Sequence, residues 1–174
     1  MDRGLRAALE ADPDYSEAFT DRVAALARAV ADGLAVPVEH DADMNYSAAQ
    51  KMVVWLNGAG VPVEPRSPDA IYRLNTYVSS KGRYFTFLTL ALSAPGENGR
   101  DRGLELAGPY WVRLDGPALP AGIESLQRRL ASFLRLKGYT LLEEPILSQE
   151  AAGHFTQMDE KPATVFEVLF SELD

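Results

Sequence analysis

Glu39-His40-Asp41-Ala42-Asp43-Met44-Asn45 sets five side chains able to ligate a metal or move a proton into seven consecutive residues, the densest such cluster in the chain. Asp41, Asp43 and Asn45 match the first three ligand positions of a calcium-binding loop, where alternate oxygens close around the ion. The sixth position is Tyr46, where the sharp turn needs glycine, and the twelfth is Met52, where a bidentate glutamate is needed. An EF-hand is therefore excluded. A weak divalent-cation or acid–base site stands against the plainer reading of a solvated loop entering a helix, a role Asp and Asn also favour.

His154 has Ser148, Glu150, Asp159 and Glu160 within reach in sequence, the ingredients of a nucleophilic triad. A triad is defined by geometry, however, and no Gly-x-Ser-x-Gly elbow supports one, so an ordinary surface or half-buried histidine is the better expectation. With two histidines in the chain, a two-His metal site has to join His40 to His154. Gly96, Gly99 and Gly103 mark a glycine-containing loop without the spacing of a phosphate-binding motif. Arg73 and Arg113 fall on strands and read as a solvated sheet face or as groups facing a ligand. Trp55 and Trp111 sit off the main apolar stripes of their segments, where a tryptophan can serve as an interface contact.

The elements that must position these groups centre on residues 71–92. Ile71 to Val78 and Arg83 to Leu92 read as the strands of a β-hairpin around Ser79-Ser80-Lys81-Gly82, with Gly82 expected at positive φ. In the second strand Phe85 and Phe87 point one way and Tyr84, Leu88, Leu90 and Leu92 the other, so both faces need cover. Phe19, Val23, Leu26 and Val30 form one stripe of a helix over Ser16–Asp32 that Gly33 should stop. Ser47-Ala-Ala-Gln50 has the capping-box pattern, predicting a helix through Met52, Val53, Leu56 and Asn57 that ends at Gly58 and Gly60. Three prolines between Val61 and Pro68 make a rigid connector.

Ser93 to Gly103 reads as a surface loop and Pro109 to Leu114 as a third strand. Ile123, Leu126, Leu130, Phe133 and Leu134 predict a helix stopped at Gly138, with Arg128, Arg129, Arg135 and Lys137 as the best candidate for a local basic patch. Tyr139 to Leu142 is a fourth strand and His154 to Met158 a short fifth. The tail fits helix or strand, and Thr164 with Glu167 as a capping box favours helix. The expected fold is α+β, an antiparallel sheet of about five strands with packing helices in the order α-βββ-α-ββ-α, plus an extra N-terminal helix. One domain spans 1–174, with 1–60 a helical subdomain or arm and 61–174 the sheet-containing core.

Composition narrows the function classes. The 174 residues are 47% hydrophobic and lack cysteine, which excludes disulfides, thiolate catalysis and Cys-ligated metal sites and fits a cytoplasmic setting. Neither a signal-peptide core nor a membrane-spanning run is present in the sequence. A net charge of −8 disfavours direct nucleic-acid binding and favours a basic protein partner.

The layout of Ile71 to Leu92, Tyr110 to Leu114, Ile123 to Gly138 and Tyr139 to Leu142 resembles that of type III secretion chaperones and the related YbjN family. That resemblance implies a dimeric, non-enzymatic adaptor holding a segment of a partner protein. The expected contacts are Phe85, Phe87, Tyr110 and Trp111, with no catalytic residue, metal or cofactor. Two other expectations are an acidic inhibitor of a basic toxin or nuclease, using Glu143, Glu144, Asp159 and Glu160, and a divalent-cation-dependent enzyme using the 39–45 cluster.

Overall fold

The computed structural model describes residues 1–44, 47–92, 104–108, 119–156 and 160–171. The fold is α+β. In chain order the elements are α1 (Arg3–Glu10), α2 (Glu17–Leu34), β1 (Glu39–Asp41), β2 (Ala49–Leu56), β3 (Pro62–Val63), β4 (Tyr72–Ser79), β5 (Tyr84–Leu92), β6 (Leu104–Gly108), α3 (Ala121–Leu136), β7 (Thr140–Leu141), β8 (Glu150–Phe155), β9 (Pro162–Thr164) and α4 (Val165–Leu169). The main sheet runs β1-β2-β4-β5-β6, with β3 beside β2, and β7 makes it mixed by pairing parallel to β5. A second, two-stranded sheet joins β8 and β9.

The hairpin forms as its sequence requires, Val78 opposite Phe85 and Tyr72 opposite Ala91. Gly82 does not have positive φ. Its role is steric, since a Cβ there would lie 2.9 Å from the Tyr84 ring. Alternation then sorts the sheet into two faces. Met52, Val54, Leu56, Leu74, Val78 and Phe85 join Phe19, Val23 and Val30 of α2 and Ile123, Leu130 and Leu134 of α3 in one core. Each such fully buried side chain contributes about 1.5–3 kcal/mol.

The opposite face carries Ala49, Tyr77, Tyr84 and Leu88, and these pack with Leu5 and Leu9 of α1, Leu147, Ala151 and the α4 residues Phe166 and Leu169. The second face of β5 is thus covered at Tyr84 and Leu88 by the chain's own α1, α4 and small sheet. Cover of Tyr84 and Leu88 therefore needs no second copy.

Several expectations need correction. The segment expected as a capped helix through Asn57 forms β2 (Ala49–Leu56) instead, because Met52, Val54 and Leu56 alternate with Lys51, Val53 and Trp55, and the valines and tryptophan suit a pleated surface. Ser47 Oγ accepts from the Ala49 amide and donates to the Ala49 carbonyl instead of capping. The extra N-terminal helix is α1, capped by Asp2. β1 and β2 are integral to the sheet, so the expected boundary at 60 does not divide helices from strands.

α2 runs through Gly33 and ends at Ala35 in the left-handed region. A Cβ at Gly33 would lie 2.5 Å from the Phe133 ring, so this glycine serves the approach of α3. The tail is helical, with the Thr164–Glu167 capping box complete. The expected loop at 93–103 and strand at 109–114 lie outside the described residues.

Candidate functional site

Of the partner contacts read from sequence, the two described ones, Phe85 and Phe87, belong to the core. Phe85 is fully buried and Phe87 is packed at the edge of the same core, their rings 5.5 Å apart, because their side of β5 faces the helices. Tyr110 and Trp111 lie outside the described residues. His154 is half-buried near Glu10, with Nε2 3.5 Å from the carboxylate. No Ser-His pair forms there, as Ser148 Oγ donates to Glu144 at 2.6 Å.

The 39–45 cluster does build something. Glu39, His40 and Asp41 are the edge strand β1, in register with Val53, Met52 and Lys51. Period-two alternation sends Glu39 and Asp41 to the face carrying Lys51, Trp55 and Arg73, and His40 to the helix side. A charged edge strand also discourages pairing with another sheet.

On the first face the groups form a network. Glu39 accepts from the Trp55 indole N–H and from Arg66, each at 2.8 Å. Asp41 lies 3.1 Å from Lys51 Nζ and 3.3 Å from Arg73. The Arg73 Nε donates to buried Asn75 at 2.9 Å, and its guanidinium sits 5.6 Å over the Trp55 ring. Arg66 reaches the network from the connector after β3, in left-handed backbone at φ 60°, a conformation costing a non-glycine residue about 1–2 kcal/mol.

Glu39, Asp41, Trp55, Arg66 and Arg73, with His40 and Ala42, line a recess of about 350 Å³. Burial pushes the Asp41 carboxyl up, but the hydrogen bond and charge of Lys51, the Asp43 amide and Arg73 together outweigh it and hold the group below the ordinary aspartate range. Glu39 is lowered likewise, burial being outweighed by Arg66 and the Trp55 N–H. Both carboxylates are therefore committed anions with cationic neighbours. Among the described residues no group of three His, Cys, Asp or Glu side chains stands close enough to hold a metal ion.

Sequence reasoning placed Trp55 away from the main core, which holds, although on a strand. It singled out Arg73 but not its meeting with Lys51 and Arg66, since the three come from separate segments.

A second recess, of about 210 Å³, is lined by Arg22 of α2, Ser79 and Ser80 at the end of β4, Gly82 and Arg83 of the turn, and Tyr139 after α3. Among the described residues no acidic side chain lines it, although Asp14 pairs with Arg22 at 3.7 Å and its amide donates to Ser80 Oγ at 3.1 Å. Arg83 donates to the Lys137 carbonyl at 3.2 Å, which ties this corner to the basic C-terminal end of α3. No spacing in the sequence signals this site, because its arginines meet only through tertiary packing.

Fold and recesses together define a small α+β chain with a mixed sheet and two charged concavities. Comparison with protein-family models, with curated proteins and with solved structures found no match.

Proposed function

We propose that the chain is a non-enzymatic protein-binding module, an adaptor or secretion-chaperone-like protein, whose contact surface is the recess around Trp55. One observation carries this reading: a half-buried tryptophan on the face away from the main core is fixed by Glu39 and covered by Arg73, with exposed Arg66 beside it. Tryptophan and arginine are the residue types that most often dominate binding energy at interfaces, and a side chain already held in place loses little entropy when a partner docks. The layout resemblance to secretion chaperones supports the same class of role.

The net charge of −8 attracts a basic partner at long range. The recess offers both signs, so the contacting segment is expected to carry both acidic and basic side chains. No helix among the described residues is long and apolar enough to cross a membrane. A cytoplasmic setting belongs to the proposal, resting on the absence of cysteine.

A divalent cation at 39–41 would have to displace Lys51 and Arg73 from Asp41, and Arg66 and Trp55 from Glu39, which disfavours the cation-dependent alternative. For the inhibitor alternative, Glu143 and Glu144 follow β7 and Glu160 precedes β9, while Asp159 lies outside the described residues.

The test is a photo-crosslinking amino acid placed at Ala42, which lines the recess, and at exposed Leu136 as a control. A protein captured from cells at position 42, absent at 136 and lost on Arg66→Glu, is the expected result. Capture that is the same at both positions, or that ignores Arg66→Glu, removes the reading.

A further inference from the structure

The two recesses differ in whether their charges are already satisfied. Around Trp55, Glu39, Asp41 and Arg73 each have at least two polar or ionic partners within the network. In the second recess the donors are nearly free. A guanidinium carries five N–H donors, and among the described residues Arg83 gives one hydrogen bond, to the Lys137 carbonyl. Arg22 has a single ion pair, to Asp14 at 3.7 Å, with both side chains well exposed. Asp14 is meanwhile held below the ordinary aspartate range first by its hydrogen bonds with Ser16, and Arg22 contributes least.

We infer that the recess formed by Arg22, Arg83, Ser79 and Tyr139 binds a phosphate monoester group. Both guanidinium groups lie near aromatic rings, Arg22 5.2 Å from the Phe19 centroid and Arg83 5.8 Å from that of Tyr139, a contact that leaves N–H donors for a ligand. Ser79 Oγ accepts from the Lys81 amide and keeps its proton to donate. The Tyr139 hydroxyl has no hydrogen-bond partner among the described residues.

Two glycines make the space. Gly138, at φ +83°, would as any larger residue bring its Cβ to 3.2 Å from Arg83 Nη1, and Gly82 lets the turn close over Tyr84. Two arginines with no lining carboxylate among the described residues, Arg22 having only the long pair to Asp14 at 3.7 Å, match the near-dianionic charge and three acceptor oxygens of a phosphate monoester better than the single charge of a carboxylate. The volume of about 210 Å³ leaves room for such a group together with its ester substituent.

The test is titration of the ¹⁵N-labelled full chain with inorganic phosphate, glycerol phosphate and acetate at constant ionic strength, followed by amide shifts. Saturable shifts at Ser80, Gly82 and Tyr139 are expected with phosphate. Arg83→Gln or Arg22→Gln should each weaken binding about tenfold, the loss of one charge-assisted contact. Both side chains are exposed enough for the variants to keep the fold, which unchanged shifts elsewhere verify.

Glycerol phosphate bound as tightly as inorganic phosphate makes the ligand an esterified phosphate, whereas inorganic phosphate bound with glycerol phosphate refused makes it the free ion and overturns the monoester. Absence of saturable shifts, equal binding of acetate, or full binding by the Arg22→Gln/Arg83→Gln double variant overturns the site.

Discussion

Gly60 and Gly122 meet backbone to backbone where the turn after β2 abuts the first turn of α3. A Cβ at Gly60 would lie 2.7 Å from the Ile123 amide nitrogen, and one at Gly122 2.7 Å from the Ala59 carbonyl oxygen. Backbone atoms cannot swing aside as a side-chain tip can. Gly60 also has φ +76°, so Gly60→Ala combines left-handed strain of about 1–2 kcal/mol with overpacking of about 1–3 kcal/mol. Gly122→Ala suffers the overpacking but regains about 1 kcal/mol of helix propensity. Urea unfolding should therefore rank Gly60→Ala as the more destabilised, with the double variant less destabilised than the sum because both force the same separation.

His40 is expected to be the Nε2–H tautomer. Thr20 Oγ1 donates back to the Ser16 carbonyl and so accepts from Gln50 Nε2 at 2.8 Å. That fixes the Gln50 amide with Oε1 toward His40 Nε2, also at 2.8 Å, and the histidine must supply the proton. Imidazole ¹⁵N shifts at neutral pH report the tautomer directly, and a protonated Nδ1 with bare Nε2 contradicts the chain.

Asp41 gives a pH dependence of definite sign. Its folded pKa is depressed, the cations and the Asp43 amide outweighing burial. Its contribution is therefore complete above the unfolded aspartate pKa and is lost as pH falls through the lower folded value. Asp41→Asn should cost about 1 kcal/mol at neutral pH, discounted for partial solvent screening. The gap to the unmodified chain should close steadily below the ordinary aspartate range. A gap independent of pH there means the charge is not what Asp41 contributes.

Where local and tertiary signals agree, the fold is legible in sequence. The β4–β5 hairpin, the α2 and α3 stripes and the Thr164 capping box follow from alternation, helical spacing and cap chemistry alone. Where a short motif competes with alternation, the motif misleads. Ser47-x-x-Gln50 imitates a capping box, while Gln50 is in fact a buried strand residue paired between His40 and Thr20. Of the recess around Trp55, the acidic half was visible as a run and Arg73 as a strand residue, but their meeting was not, since Arg73 arrives by strand pairing and Arg66 from the connector after β3.

Arg73 and Arg66 border one recess and should respond very differently to the same conservative change. Arg73, with its side chain 18% exposed, bonds Asn75, pairs with Asp41 and covers Trp55. A lysine there has no Nε fork and cannot meet all three. It leaves the Asn75 oxygen, in a residue only 2% exposed, without its donor, and the expected loss is about 1–3 kcal/mol. Arg66 is 77% exposed and makes one pair, to Glu39, so Arg66→Lys should leave the unfolding midpoint nearly unchanged. Guanidinium unfolding with Trp55 as one fluorescent reporter measures both. Equal losses would place Arg66 in the framework of the recess and take away its availability to a partner.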